Sequence, residues 1–291
     1  MKPIKFWQAM HFTAAERLVG LAQFIDTQTP FYGVQMGDHW FTPAKLDSPY
    51  PYPLEDSGTP WPLQTPWPDI GASFGAMAAA TKRLHFSTTV LILPLRNPFE
   101  VARTMATLSA ISGNRVSLGA GSGWMTNEFH VAGVDFKTRG RRMDEMIDVM
   151  RLLWEGGMVE HHGEFFDFPR LELGPRPAGR IPIYVAGASV PAMRRAVRKG
   201  DGWITGDVTR VEILNSVDKV RRMLEEEGRD EEDFEIVANL PADLDMTKAL
   251  IDHGVTSIVN ASSAAEIKGG MTDRQKIDWY RWYADEIIAK V

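Results

Sequence analysis

The chain has 291 residues, 44% of them hydrophobic and 24% charged, with 32 Lys and Arg against 38 Asp and Glu for a formal net charge of −6. This is the make-up of a globular chain with ample apolar material for a core, which excludes wholesale disorder, and no dense Lys/Arg block could neutralise a row of phosphates, which argues against nucleic acid as a partner. Cysteine is absent, so disulfides, thiolate metal sites, iron–sulfur clusters and cysteine nucleophiles are excluded and any redox chemistry has to come from a bound organic cofactor.

The N-terminal run Met1-Lys2-Pro3-Ile4-Lys5-Phe6 enters a strand-like segment with no apolar signal core. No stretch approaches the roughly 18 uninterrupted apolar residues of a membrane span, so a cytoplasmic location without a membrane partner is expected. The first strand is expected over Ile4 to Ala9, and Thr13-Ala14-Ala15-Glu16 has the spacing of a capping box opening a helix to about Gln28. Phe31 to Met36 reads as the second strand, ended by Gly37-Asp38-His39. From 40 to 68 prolines recur among aromatics (Trp40, Phe41, Tyr50, Tyr52, Trp61, Trp67), which forbids a regular helix and marks a long irregular loop.

Regularity resumes at Asp69, which should cap an Ala-rich helix to Arg83, followed by a strand from Leu84 to Leu93, a helix opened by Pro98 and a strand from Arg115 to Ala120. Met143, Met146, Ile147, Met150 and Leu153 recur at helical spacing between about Thr138 and Glu155. Residues 156 to 180 read as a hairpin insertion. Then come strand Ile181–Ala186, helix Pro191–Lys199, strand Gly202–Thr205, helix Val211–Glu227, strand Phe234–Ala238, helix Leu244–His253, strand Thr256–Asn260 and a last helix from about Asp273.

Eight strands alternating with helices imply a parallel sheet with right-handed crossovers, and in a chain of this length an α/β (β/α)8 TIM barrel fits better than an open sheet. The expected organisation is one domain spanning 1–291, with an insertion loop after strand 2 and a hairpin insertion before strand 5. A dinucleotide-binding Rossmann fold would need its glycine turn after the first strand, whereas Gly119-Ala120-Gly121-Ser122-Gly123 follows the fourth and has the wrong spacing.

Two stretches carry a family likeness. One runs from Leu95-Arg96-Asn97-Pro98 through Leu108, Ser112-Gly113-Asn114-Arg115, Gly119 to Trp124, Asn127-Glu128-Phe129, Gly133, Arg139 and Leu153-Trp154; the other is Pro182-Ile183-Tyr184-Val185-Ala186-Gly187-Ala188-Ser189 with Gly200-Asp201-Gly202-Trp203. With Asp38-His39 they cover about residues 30 to 205 in order, and they resemble the bacterial luciferase-like flavin and deazaflavin oxidoreductases, specifically the branch using coenzyme F420. Ala186 departs from the resemblance, standing where the family often has the first of two glycines, and from 206 onward little beyond the barrel pattern remains.

In such a barrel the C-terminal strand ends line the active site. His39, just past the second strand, is a candidate proton carrier, since an imidazole exchanges a proton near neutral pH. Asp38 either orients it or ends the strand as a solvated carboxylate; the resemblance implies that the Asp-His pair lies over the coenzyme ring. Some relatives carry a glutamate acid after the fourth strand, where Ser122 stands here, and a hydroxyl cannot serve as a carboxylic acid, so a sugar phosphate is not the expected substrate. Gly119, Gly121 and Gly123 either permit close backbone approach to a flat ring or make plain turns; with Ser122 and Asn127 they are candidate coenzyme contacts.

Thr89-Val90 lies in the third strand, where the resemblance implies a bulge with a non-proline cis peptide behind the ring, although β-branched residues suit a core strand as well. Gly187-Ala188-Ser189 precedes a helix whose free N–H groups suit a phosphate, with a simple Ser189 N-cap as the alternative. Trp40, Phe41 and Trp61 are candidate substrate contacts in a lid, or else rings packed permanently on the barrel or a partner subunit. His161-His162 lack a spaced third ligand, so no metal is expected. The resemblance implies a homodimeric oxidoreductase moving hydride to or from F420, and the aromatic loop points to a small, largely apolar substrate; the alternatives are an FMN-dependent monooxygenase fed by a separate flavin reductase and a non-catalytic flavin-binding protein.

Overall fold

A computed structural model describes residues 3–51, 61–206, 209–240, 242–261 and 270–291. Strands β1 (Lys5–Ala9), β2 (Gly33–Met36), β3 (His85–Thr88), β4 (Leu91–Ile92), β5 (Val116–Gly121), β8 (Ile183–Ala186), β9 (Gly202–Ile204), β10 (Glu235–Leu240) and β11 (Ser257–Asn260) form one parallel sheet. It closes on itself because β5 pairs with both β3 and β4. β3 and β4 are two pieces of a single stave, so the ring is an eight-stranded TIM barrel. The interruption is a one-residue bulge: Ser87 pairs with Ser117 and Leu91 with Ala120, four steps on one side against three on the other.

The helices follow the strands in order: α1 (Ala15–Gln28), α2 (Ile70–Ala80), α3 (Pro98–Ser112), α4 (Thr126–Ala132), α5 (Arg139–Glu155), α6 (Val190–Lys199), α7 (Arg210–Glu226), α8 (Leu244–Asp252) and α9 (Asp273–Glu286). Between α5 and β8, β6 (Val159–His162) and β7 (Asp167–Leu171) form an antiparallel pair. Local chemistry accounts for several starts: Asp69 accepts the Ala72 N–H at 2.8 Å, and Pro98 opens α3 behind Asn97, whose side chain accepts the Phe99 N–H. Thr13 corrects an expectation. The N-cap of α1 is Ala14, without a side-chain cap, and the buried Thr13 hydroxyl instead accepts from Lys276 Nζ at 2.9 Å. Among the described residues no helix is long and apolar enough to cross a membrane.

Side chains alternate across each stave. Phe6, Met10, Val34, Met36, Phe86, Val116, Leu118, Ile183, Val185 and Ile258 face the helices in the main core, while Trp7, Ala9, Tyr184, Ile204, Val237 and Val259 fill the lumen, with Val90 and Ala186 packed against them. Gly121 ends β5 at the C-terminal mouth, and His11 and Gly37 follow the ends of β1 and β2 there.

Candidate active site

The glycines at the C-terminal end of β5 and just past it fit the bulged stave beside them. A Cβ at Gly119 would lie 1.9 Å from the Thr88 carbonyl oxygen, one at Gly121 2.4 Å from Val90 Cγ2, and one at Gly123, where φ is +81°, 2.7 Å from Ile92 Cγ2. No side chain fits there, so these glycines let β5 close on β3 and β4. The Thr89–Val90 peptide is cis, Thr89 Oγ1 bonds Gln35 Oε1, and partly buried Val90 faces the lumen. Ser122 lies between the glycines, partly buried.

His39 follows β2, its side chain 11% exposed. Its Nδ1 lies 3.2 Å from both carboxylate oxygens of Glu128, which is fully buried and also accepts the Trp40 N–H at 2.7 Å. A buried carboxylate on Nδ1 selects the tautomer that donates from Nδ1 and leaves Nε2 for chemistry. Asp38 turns elsewhere: Arg96 donates to both its oxygens at 2.7 and 2.8 Å, and the Ile92 N–H reaches Oδ2 at 3.3 Å. The expected Asp38–His39 unit is thus two units, with Glu128 holding the imidazole and Asp38 tying the end of β2 to β4 and Arg96. Glu128 was missed by sequence reasoning, though a carboxylate in the first turn of a helix after a glycine loop was a usable signal.

Aromatic rings surround the imidazole. Trp61, Trp67 and Trp124 lie 4.6, 4.9 and 5.8 Å from it, centre to centre, and Tyr50 packs on Trp61 and Trp124. Trp61 is 5% exposed, its indole donating to Thr42 at 2.8 Å. Trp40 points to Arg96, whose guanidinium lies 5.0 Å from its ring; Phe41 is partly buried. Trp61 and Trp67 of the 40–68 loop are therefore packed onto His39, while Tyr52, Pro53 and Pro60 fall outside the described residues.

Asn127, expected at the coenzyme, spends its amide on this loop: Oδ1 accepts the Asp47 N–H at 3.1 Å, and Nδ2 donates to Lys45 O and Asp47 Oδ2 at 3.2 and 2.7 Å. At α6, Ser189 caps the helix, accepting the Ala192 N–H at 3.4 Å, and Gly187 has φ +133°. Ala188 and Ser189 are exposed. His161 bonds Glu145 at 3.1 Å and His162 bonds Asp167 at 2.5 Å, and among the described residues no three acidic or His side chains converge as metal ligands.

His11, just past β1, is a second mouth residue that sequence reasoning missed. Its Nδ1 accepts the Gly37 N–H at 2.6 Å. Burial, with the charges of Lys276 and His39 adding, pushes it down to about 4. The rule that found His39, a histidine just beyond a strand's C-terminal end, applies to it equally.

The sequence profile of the luciferase-like monooxygenases matches residues 5–289. An uncharacterised protein of Mycobacterium tuberculosis is 37% identical over 253 residues, covering 86% of this chain and 87% of that protein. The F420-dependent glucose-6-phosphate dehydrogenase of Amycolatopsis mediterranei is 30% identical over 262 residues, covering 83% and 76%. Among solved structures, monooxygenase RslO1 of Streptomyces bottropensis superposes with a TM-score of 0.77 at 19% identity, covering 98% of this chain and 99% of that one. The F420-dependent tetrahydromethanopterin reductase of Methanopyrus kandleri does so with 0.77 at 15%, covering 99% of each, and at these identities both likenesses speak to the fold alone. Barrel, bulge, glycine loop and sequence kinship agree, and the chain is an enzyme belonging to the luciferase-like monooxygenase family.

Proposed function

We propose that this enzyme is a two-electron oxidoreductase that moves hydride between a deazaflavin coenzyme of the F420 type, held at the barrel mouth, and a small, largely apolar organic substrate. The observation that carries the reading is the His39–Glu128 pair, an imidazole oriented by a buried carboxylate at the mouth and walled by Trp61, Trp67 and Trp124. Sequence kinship with an F420-named dehydrogenase at 30% identity favours the deazaflavin over FMN. Ser122 still stands where a glutamate acid would serve a sugar phosphate, and the aromatic wall suits an apolar molecule better.

The residues present fit a flat ring with a phosphate-bearing tail. Ala9, Gly37, Gly121 and Ala186 put small residues near the C-terminal ends of β1, β2, β5 and β8, and the lumen-facing Val90 offers an apolar support beside the bulge. Gly119, Gly121 and Gly123 would meet the ring through their backbone, since their Cβ positions belong to the neighbouring stave, and Ser122 stands between them. The turn Gly187-Ala188-Ser189 at the α6 N-terminus, exposed at Ala188 and Ser189, would hold the phosphate by backbone N–H donation. When bound, the coenzyme supplies or takes up the hydride. His39 Nε2 gives or receives the accompanying proton, with Glu128 stabilising the imidazolium, and Trp61 and its neighbours exclude water. Thr89, Trp40 and Phe41 complete the mouth as neighbours of these groups.

Mixing the protein separately with FMN and with the deazaflavin while following ligand fluorescence tests the reading. Tight deazaflavin binding is expected. Tight FMN binding with none for the deazaflavin would assign an FMN-dependent monooxygenase fed by a separate reductase, and saturable binding without hydride transfer to any acceptor would assign a non-catalytic flavin-binding protein. The reading includes a cytoplasmic homodimer, and a solution mass of one chain by light scattering would remove the dimer from it.

A further inference from the structure

We propose that His11 is a second functional imidazole, a fixed hydrogen-bond donor that recognises a carbonyl oxygen brought into the barrel mouth and so selects for an oxygen-bearing ligand there. A backbone N–H can only donate, so the 2.6 Å contact from Gly37 makes Nδ1 the acceptor. On a neutral ring the proton then sits on Nε2. Gly37 is itself fitted to this contact: a Cβ there would lie 3.1 Å from His11 Nδ1 and 3.2 Å from the Thr89 carbonyl oxygen.

β1 sends Trp7 and Ala9 into the lumen, and His11 sits in the turn just beyond it, where the contact with Gly37 sets the ring across the ends of β1 and β2. The residue is partly exposed, and among the described residues no protein group bonds Nε2. The groups that bear on its charge are buried Lys276, which donates to Thr13, and His39. Burial first, then the charge of Lys276 and the proximity of His39, hold the ring neutral through the ordinary pH range, since its value is about 4. His11 therefore differs in kind from His39, whose Nδ1 faces a carboxylate. One imidazole is built to carry a proton, and the other to keep its proton and point it at an acceptor, as a neutral imidazole does when it polarises a carbonyl.

The carbonyl has two possible sources, the coenzyme's pyrimidine ring or the substrate, and the inference rests in that respect on the proposed coenzyme. The first measurement is independent of it. Nitrogen NMR of the whole ligand-free protein should find His11 with Nε2 protonated, Nδ1 bare and no titration between pH 5.5 and 8; protonation at Nδ1, or a mid-range titration, overturns the proposal whether or not any flavin binds.

The second uses His11→Asn, whose amide keeps an acceptor for the Gly37 N–H but removes the outer donor, and His11→Gln, whose amide restores a donor near Nε2. If the carbonyl is the coenzyme's, His11→Asn weakens deazaflavin or FMN binding about tenfold or more and His11→Gln recovers most of it. If it is the substrate's, coenzyme affinity holds and His11→Asn loses the wild-type preference for cyclohexanone over methylenecyclohexane in quenching the loaded protein, while His11→Gln keeps it. A purely structural role predicts the reverse, normal behaviour for Asn and a loss of thermal stability for Gln, and that result, or no change in either binding measurement, overturns the proposal.

Discussion

Glu128→Gln tests the centre of the site with almost no change of shape. Glu128 is fully buried and has two tasks, accepting the Trp40 N–H at 2.7 Å and facing His39 Nδ1 at 3.2 Å with both oxygens. A glutamine keeps one carbonyl oxygen, which accepts from both Trp40 and His39 Nδ1, but its amide nitrogen can only donate, so the second acceptor facing Nδ1 becomes a donor and the preference for the Nδ1-protonated tautomer weakens. The imidazolium would also face an N–H group where it had a carboxylate. A hydrogen bond to a charged partner contributes about 1.5–3 kcal/mol, so turnover should fall roughly 10- to 150-fold if proton transfer by His39 limits it. Nitrogen NMR of His39 reads the tautomer without any substrate, and stopped-flow absorbance of the coenzyme with an acceptor that the wild type uses reads the rate. Thermal stability and coenzyme affinity should stay near wild type because volume and the Trp40 bond are retained. An unchanged tautomer with unchanged turnover, or a loss confined to stability, would refute the assignment and leave Glu128 as a brace for the loop.

Asn127→Ala removes three hydrogen bonds that hold residues 45–47, so it should cost about 1–2 kcal/mol of stability and speed chymotryptic cleavage near Tyr50, with coenzyme affinity unchanged within about twofold. Tenfold weaker coenzyme binding without faster cleavage would return Asn127 to the coenzyme. His85, at the start of β3, stacks 4.1 Å from Tyr32 and bonds its hydroxyl at 3.0 Å; burial, then the charges of Arg115, Lys5 and Arg83, push it down to about 4. Below pH 6.5 the unfolded chain binds a proton there that the folded chain refuses, so this residue lowers stability as pH falls from 6.5 towards 4. His85→Gln should therefore lose less stability than wild type between pH 7 and 4.5 in urea titrations, by at most about 2–3 kcal/mol, and an identical acid loss in both would sink that reasoning.

Part of the site was legible because its signals are local. His39 was found by its place after a strand, the α6 turn by its Gly-Ala-Ser run before a helix, and the aromatic loop by its prolines. Glycines 119, 121 and 123 were legible as positions where no side chain fits, but the neighbour that forbids one is the bulged third stave, and no local pattern names a neighbour about 30 residues away in the chain. Thr13 shows the same limit from the other side. Its spacing to Glu16 satisfied a capping box, but Lys276, 263 residues on, had the stronger claim on its hydroxyl.

The sequence by itself determined the order and nature of the barrel elements, most of their ends to within two or three residues, the cap at Asp69 and the opening of α3 at Pro98. These follow from backbone preference and side-chain period, which act over a few residues. Only the tertiary structure decided the partners: Glu128 for His39, Arg96 for Asp38, Gly37 for His11 and the loop for Asn127. The physical reason is closure. Each βα unit delivers one or two side chains to the mouth, and which of them meet is fixed by stagger, by the bulge in the third stave and by the path of the 40–68 loop, quantities that belong to the ring as a whole.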